Sequence, residues 1–588
     1  MSPDPAARRP LAARIADRWA AHAAGRLSVD GDQAAGCEPR SVGDPERGRQ
    51  ILSGRIRLAG HGVDLPGTAL WEIAPPDAAF AAEAHGFRWL DDLAALGSRA
   101  ARQRARDWTA RWIARYGGGR GPGWQPVLTG RRLIRLMHHA DFLAPEGADQ
   151  DGDSLTAALH GALVRMGVFL ARRAESARAG LPRFEALTGF LYAALGLTEL
   201  RHHAGTASGT LAREAARHIG PDGGIESRNA EELALILTHL GWAVRALGVA
   251  DVTVPPDLVD AIDRIAPCLR CLRHANGDLP RFHGADSGAD GLVERALAAS
   301  PLRPPPGHAC RAMGYLRLSG GRSSVILDAA EPPGGAWRDA AHASTGAFEL
   351  TSGRRPVVIS CGPGHGFDHE WQLAARATQS HSALGIDGVS SSRLTRRRGS
   401  EALDDFARVI ALQQAGGDGA IVQMTHDGWS RTHGLCATRE LHLSADGRRL
   451  GGTDALAAQT AEQQMRLDAR IAAARDEGSR AGIAFSIRFH LHPDARVAPG
   501  PGGATVRISL RSGEVWVFRH DGRARLSLEP SFCLHSDAEA PLGSRQIVLS
   551  AHAGAEGARI GWTLTKSRDT PLAIRDTARD DPEATEPN

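Results

Sequence analysis

The sequence predicts an α+β chain of more than one domain: an N-terminal α/α toroid, or helical solenoid, followed by a C-terminal antiparallel β-sandwich. Three observations predict it. From about residue 76 to about 302, apolar residues recur at helical spacing, as in Leu155, Leu159, Leu163, Met166 and Leu170. The run PLRPPPG at 301–307 breaks that pattern. Beyond it, short alternating stretches separated by turns at roughly ten-residue intervals read as the strands of a sandwich. A chain of 588 residues has room for both cores, because single cores stop growing near about 250–300 residues.

Taken in order, residues 1–45 are Ala/Arg-rich and predicted flexible, with at most a frayed helix over 10–22. Residues 43–76 hold short alternating pieces (Ile51, Leu52, Ile56, Leu58, Val63, Leu65) and read as strand-like. The helical domain is assigned to 46–302. In it Trp108, Trp112, Ile113 and Tyr116 share a helical face that Gly117, Gly118 and Gly119 terminate. Asp153 and Ser154 can cap the next stripe. Two more stripes run through Leu233, Ile236, Leu237, Leu240, Val244 and Leu247, and through Leu258, Ile262, Ile265, Leu269 and Leu272. Several are apolar on more than one face, which favours stacked layers, although no fixed-period repeat is present. The sandwich is assigned to 308–567. Its first hairpin turns at Gly320-Gly321, and a second pair of strands joins at Ser352-Gly353. Residues 454–481 are polar and helix-prone, and the acidic, Pro-containing tail 568–588 is predicted disordered.

Composition narrows the function. An apolar share of 42% is that of a folded globular chain. Lys+Arg 70 against Asp+Glu 67 leaves a formal charge of +3, which gives no argument for a nucleic-acid partner. Seven cysteines, an odd number in a large chain, do not suggest a disulfide scaffold, and the lone Cys268-x-x-Cys271 reads as buried thiols. No 18-residue apolar run is present, so no transmembrane segment is expected. The N-terminus, interrupted by Arg14, Asp17 and Arg18, does not have the pattern of a secretory signal, which points to the cytoplasm. Oligomeric state is not readable.

The segment 342–387 gathers chemistry. His342 precedes the strand of Phe348 and Leu350. Ser360-Cys361-Gly362 ends the strand of Val357–Ile359, and His381 precedes a third strand. Three strand ends thus bring two histidines toward one place. The motifs Gly346-Ala347-Phe348-Glu349-Leu350, Ser360-Cys361-Gly362 and His381-Ser382-Ala383-Leu384 resemble the heparinase II/III family of polysaccharide lyases. So do His426-Asp427-Gly428-Trp429, Arg488-Phe489-His490-Leu491-His492-Pro493, Thr129-Gly130-Arg131-Arg132-Leu133 and Pro221-Asp222-Gly223-Gly224 with Ser227-Arg228-Asn229. The likeness is greatest to an alphaproteobacterial branch and runs from about residue 43 to 566.

The resemblance implies a lyase that cleaves an acidic, uronate-containing glycan by β-elimination in the cleft between the domains, and a periplasmic or cell-envelope location. Its alternative is a member that binds glycan without turnover. By that likeness His342 is the candidate base, Arg228 and Asn229 hold the sugar carboxylate, and His283 assists in proton transfer. Arg281, Glu349, Arg376, His426 and Trp429 are candidate substrate contacts, Trp429 by stacking on a sugar ring or else simply packed. The family's β domain can bind a metal through two histidines and an aspartate, which makes zinc on His342 and His381 the cofactor to test. Ser360 stands at the aspartate position. The family's tyrosine after the Asp-Gly-Gly loop is replaced by Ala230-Glu231-Glu232-Leu233.

Overall fold

The computed structural model describes residues 10–567, apart from 30–36, 39, 66–68, 145–153, 304–308, 387, 398–399, 418, 477–481, 501–502 and 537. The tail 568–588, part of the 301–307 run and the Asp153 cap lie outside the described residues. Near the N-terminus a helix spans Leu11–Gly25, close to the frayed helix expected over 10–22. The predicted strand-like stretch is half helix. Pro45–Leu52 is helical, with the Asp44 side chain accepting from the Glu46 N–H and Pro45 in the first turn. Only Arg55–Leu58 and His61–Asp64 form a hairpin.

The helical domain stacks long helices side by side. Pro126–His138 packs on Leu181–Gly196, which in turn packs on Ala204–His218 and Ala230–Val249, and the last lies against Pro256–Leu272. The first crossing is close because it is glycine on glycine. A Cβ on Gly189 would lie 2.6 Å from the Gly130 Cα, and one on Gly130 would lie 2.5 Å from the Glu185 carbonyl oxygen. Two helical stretches, Ser154–Ser176 and Ala230–Val249, are long and apolar enough to cross a membrane by length and composition alone, a test that core helices also pass. Here Leu163, Leu170, Leu233 and Leu240 on them are buried in the domain's core.

The β domain is two large antiparallel sheets, with a separate two-stranded pair of Arg393–Arg397 and Ser400–Asp404. One runs, in spatial order, Val409–Gly417, Gly419–Trp429, Leu435–Ser444, Arg449–Ala457, Ala558–Lys566, Val515–His520, Thr505–Ser509 and Arg496–Pro499. The other carries Arg525–Cys533, Leu542–Ala553, Ile483–Leu491, Arg355–Ile359, Phe348–Ser352, Ser323–Asp328, Tyr315–Gly320 and Ala309–Ala312, with Leu384–Ile386 paired to Ile483–Leu491. Their facing side chains, among them Leu350, Val422, Phe489, Trp516 and Trp562, form one core. Both predicted hairpin turns are present, with Gly321 and Gly353 at positive φ. The polar 454–481 stretch divides into the end of a strand and the helix Ala461–Asp476.

The cysteine reading needs correction. Cys268 is a buried thiol, but Cys271 is disulfide-bonded to Cys310, which joins the last long helix to the first strand of the β domain. Sequence spacing hid this pair, because the partner lies 39 residues away across the domain boundary.

Candidate functional site

Where the two domains meet, a cleft of about 1140 Å³ opens. Asn229, Glu185 and Arg131 come to it from the helical domain, and His342, His365 and Arg376 from the β domain. Asn229, at the end of the loop 222–229, and His342 therefore line one cleft.

His342 is 1% exposed, yet it lies on the cleft wall. Its backbone N–H donates to His283 Nδ1 at 3.2 Å, and its Nδ1 lies 3.3 Å from His381 Nε2. His381 Nδ1 is 3.1 Å from Ser360 Oγ. One consistent proton arrangement runs His342 Nδ1–H to His381 Nε2, then His381 Nδ1–H to Ser360 Oγ. It leaves His342 Nε2 bare for a ligand. Burial drives the His342 pKa well below the ordinary imidazole value, and His381, His283 and Arg376 add to it. His381 is pushed down to about 3, by burial first and then by His283 and His490. Both rings are neutral at pH 7.

These two rings do not fit a metal. Their facing nitrogens are bonded to each other, His381 spends its other nitrogen on Ser360, and Ser360 brings no charge. Among the described residues no group of three His, Cys, Asp or Glu is placed to hold a metal ion.

Asn229 caps the helix Ala230–Val249, its Oδ1 accepting from the Glu232 N–H at 2.9 Å. One Nδ2 hydrogen reaches His283 O at 3.4 Å, and the other has no acceptor among the described residues. Asn229 can therefore fix the helix and still offer a donor to the cleft.

Arg228 sits differently. Its guanidinium donates to Met313 O at 3.1 Å, Gly314 O at 3.1 Å, Glu331 O at 2.6 Å and the Asp328 carboxylate, and its remaining edge faces His283. All of these except His283 belong to the β side of the boundary. The carboxylate-holding role expected for Arg228 meets a group whose donors are already taken. Asp328 lies at the end of a strand and is wholly buried, yet the Arg228 guanidinium, with hydrogen bonds from His283 and Ser344, holds its carboxyl far below the usual range against the opposing effect of burial. His283 donates from Nε2 to Asp328 Oδ2 at 3.2 Å, and burial lowers its pKa. Arg228, His283 and Met313 all have φ near the left-handed region, at 54°, 52° and 51°. Such backbone is kept only where surrounding contacts over-determine it.

The other expected contacts scatter. Arg376 lines the cleft, but its guanidinium donates to Ala341 O, Glu401 O and Arg338 O, each at 2.9 Å, and so organises the cleft rim. Arg281 is buried, with Nη1 on Cys533 Sγ at 3.0 Å, and borders a neighbouring groove. Glu349 accepts from the Arg281 and Ser360 backbone N–H groups at 3.2 and 3.1 Å, so it orders the loop beneath the histidines. His426 is buried beside Trp429, with a pKa lowered to about 4 by burial and then by Arg439. Trp429 is fully buried with Nε1 on Val389 O, which leaves no face open to a sugar. None of the three tyrosines lines the cleft; Tyr315 is buried with its hydroxyl on Arg228 O, and Tyr192 contacts His138.

Two residues escaped the sequence reading. Asp328 ends an apolar strand, and Glu185 is the lone carboxylate in the helix LPRFEALTGFLYAALG. An isolated carboxylate inside an apolar run is the signal that marks both.

The family described as Heparinase II/III-like, C-terminal matches residues 302–563. "FtsZ-localized protein C" of Caulobacter vibrioides is 31% identical over 574 residues, covering 96% of each chain. Among solved structures, a crystal structure of heparinase III superimposes with a TM-score of 0.67 at 13% identity, over 95% of this chain and 90% of that one. A heparan sulfate lyase mutant from Pedobacter heparinus does so with a TM-score of 0.56 at 14% identity, over 95% and 89%. These structural likenesses establish the fold: a helical domain followed by a β-sandwich.

Proposed function

The chain belongs to the heparinase II/III-like family, and on that premise we propose that its interdomain cleft binds an acidic, uronate-containing glycan and cleaves it by β-elimination, with His342 as the base. The observation that carries this reading is a neutral imidazole on the cleft wall, ring-fixed by His381 and backbone-fixed by His283, in the same cleft as the Asn229 amide. Removing the proton next to a carboxylate builds negative charge beside a charge already present. An amide donor on that carboxylate lowers the cost, and such prearranged donors are usually the largest contribution to catalysis. Asn229 supplies this donor.

His342 Nε2 takes the proton from the carbon beside the carboxylate. The electrons of that C–H bond form the new C=C bond, and the glycosidic C–O bond breaks. With no tyrosine on the cleft, the imidazolium returns its proton to the leaving oxygen. Burial favours that return, because it disfavours the charged ring. The test is an absorbance assay for unsaturated uronate on unsulfated and sulfated acidic polysaccharides. His342→Ala should lose at least the ~10²–10⁴-fold due to acid–base catalysis, with little change in melting temperature.

A second reading, glycan binding without turnover, is favoured by the absent tyrosine and by the saturated guanidinium of Arg228. The relative's name, which records a location with FtsZ and not a reaction, accords with it. Glycan binding with no product from any polymer would decide for this reading.

A further inference from the structure

On the helical wall of the cleft one buried carboxylate oxygen is left over. Glu185 is 7% exposed, and its Oε1 accepts from Arg131 Nε at 2.7 Å. Its Oε2 is buried and has no hydrogen-bond partner among the described residues, although the residue lines the cleft. The position is rigid: the Glu185 carbonyl lies against Gly130 at the glycine-on-glycine crossing, and Arg131 is the next residue on the opposing helix. Leaving a buried acceptor unsatisfied costs free energy that a ligand donor would recover. The cleft is also close to charge balance, with eight arginines against seven Asp and Glu on its walls. Several of these are paired to each other, as in Arg131–Glu185 and Arg135–Asp91. Such a surface does not concentrate a dense polyanion through its field.

We infer that Glu185 is a specificity-determining residue that requires a hydrogen-bond donor, a sugar hydroxyl or an amide N–H, at its subsite and turns away a glycan sulfated there. The inference rests on the cleft reading above and names the class of glycan it takes. An ionised carboxylate only accepts hydrogen bonds, and a sulfate also only accepts while carrying charge of the same sign. A sulfated position facing Oε2 would therefore bury two acceptors against each other and repel, which discriminates more sharply than a lost contact.

Calorimetric titration of the full chain with chondroitin and heparosan, each unsulfated and sulfated, tests this. The wild type should bind the unsulfated polymer about ten- to hundredfold more tightly, the scale of one hydrogen bond to a charged group. Glu185→Gln, whose amide can donate to a sulfate, should lose most of that preference. Arg131→Gln removes the same ion pair but keeps the carboxylate, and should retain it; melting curves of both variants report folding. Equal wild-type affinity for both forms, an unchanged preference in Glu185→Gln, or an equal loss in both variants would overturn the role of Glu185 and leave the cleft reading standing. No binding of any polymer by the wild type would overturn the cleft reading, and Glu185 with it.

Discussion

Two polar clusters lie at the junction of the domains, and they differ in what is left unsatisfied. Around Arg228, Asp328 and His283, donors meet acceptors from both domains, and nothing is kept for a ligand. A few residues away, His342, Asn229 and Glu185 line one cleft, and among the described residues His342 Nε2, one hydrogen of Asn229 and Glu185 Oε2 are without partners. The first cluster is a brace and the second is the proposed site. Adjacent residues of one loop, Arg228 and Asn229, fall on opposite sides of that division, so a motif alone could not assign them.

The largest expected effect comes from breaking the brace. Arg228→Ala leaves the Asp328 carboxylate buried without its guanidinium, and should destabilise the protein by about 3–5 kcal/mol in denaturant unfolding. Losing glycan affinity with stability intact would instead return Arg228 to the site.

The disulfide bridges the same boundary. Cys271→Ser should cost about 2–4 kcal/mol, read as a lower denaturant midpoint that matches reduced wild type.

Acid should attack both clusters through their neutral imidazoles. His342, His283, His381 and His426 have depressed folded pKa values, the last two at about 3 and about 4. Below the ordinary value of about 6.5 the unfolded chain binds protons that the native chain refuses, so stability is full above that pH and falls below it. Each ring contributes up to about 1.4 kcal/mol per pH unit until its folded pKa is reached. Melting temperature should drop steeply between pH 6.5 and 4. A flat profile over that window would mean that these rings are charged in the fold.

The smallest effect separates Asn229 from its neighbour. Asn229→Asp keeps a capping oxygen, so stability should shift by less than about 1 kcal/mol, while glycan affinity falls because the amide donor becomes a negative charge. A large loss of stability would place Asn229 in the brace.

Much of this architecture was legible in the chain. Helical stripes such as Leu233–Leu247 and turns such as Ser352-Gly353 are local signals, and both domains follow from them. The approach of His342 to His381 was legible too, because strand ends on one sheet edge sit together. Which polar groups are saturated was not, because that depends on partners about 85 to 103 residues distant, such as Met313, Asp328 and Glu331 for Arg228. The same distance hid the Cys271–Cys310 pair. Helix Pro45–Leu52 was misread because Ile51 and Leu52 followed an N-terminal cap signal that outweighed their alternation with later residues.

The central claim is that the unsatisfied cluster does proton chemistry, and His342 tests it most directly. Wild type and His342→Ala should be incubated with unsulfated chondroitin and heparosan, and unsaturated uronate followed by ultraviolet absorbance beside a melting curve of each protein. The account predicts product from the wild type and none from the variant, with closely similar melting temperatures. Product formation by a folded His342→Ala protein would contradict it.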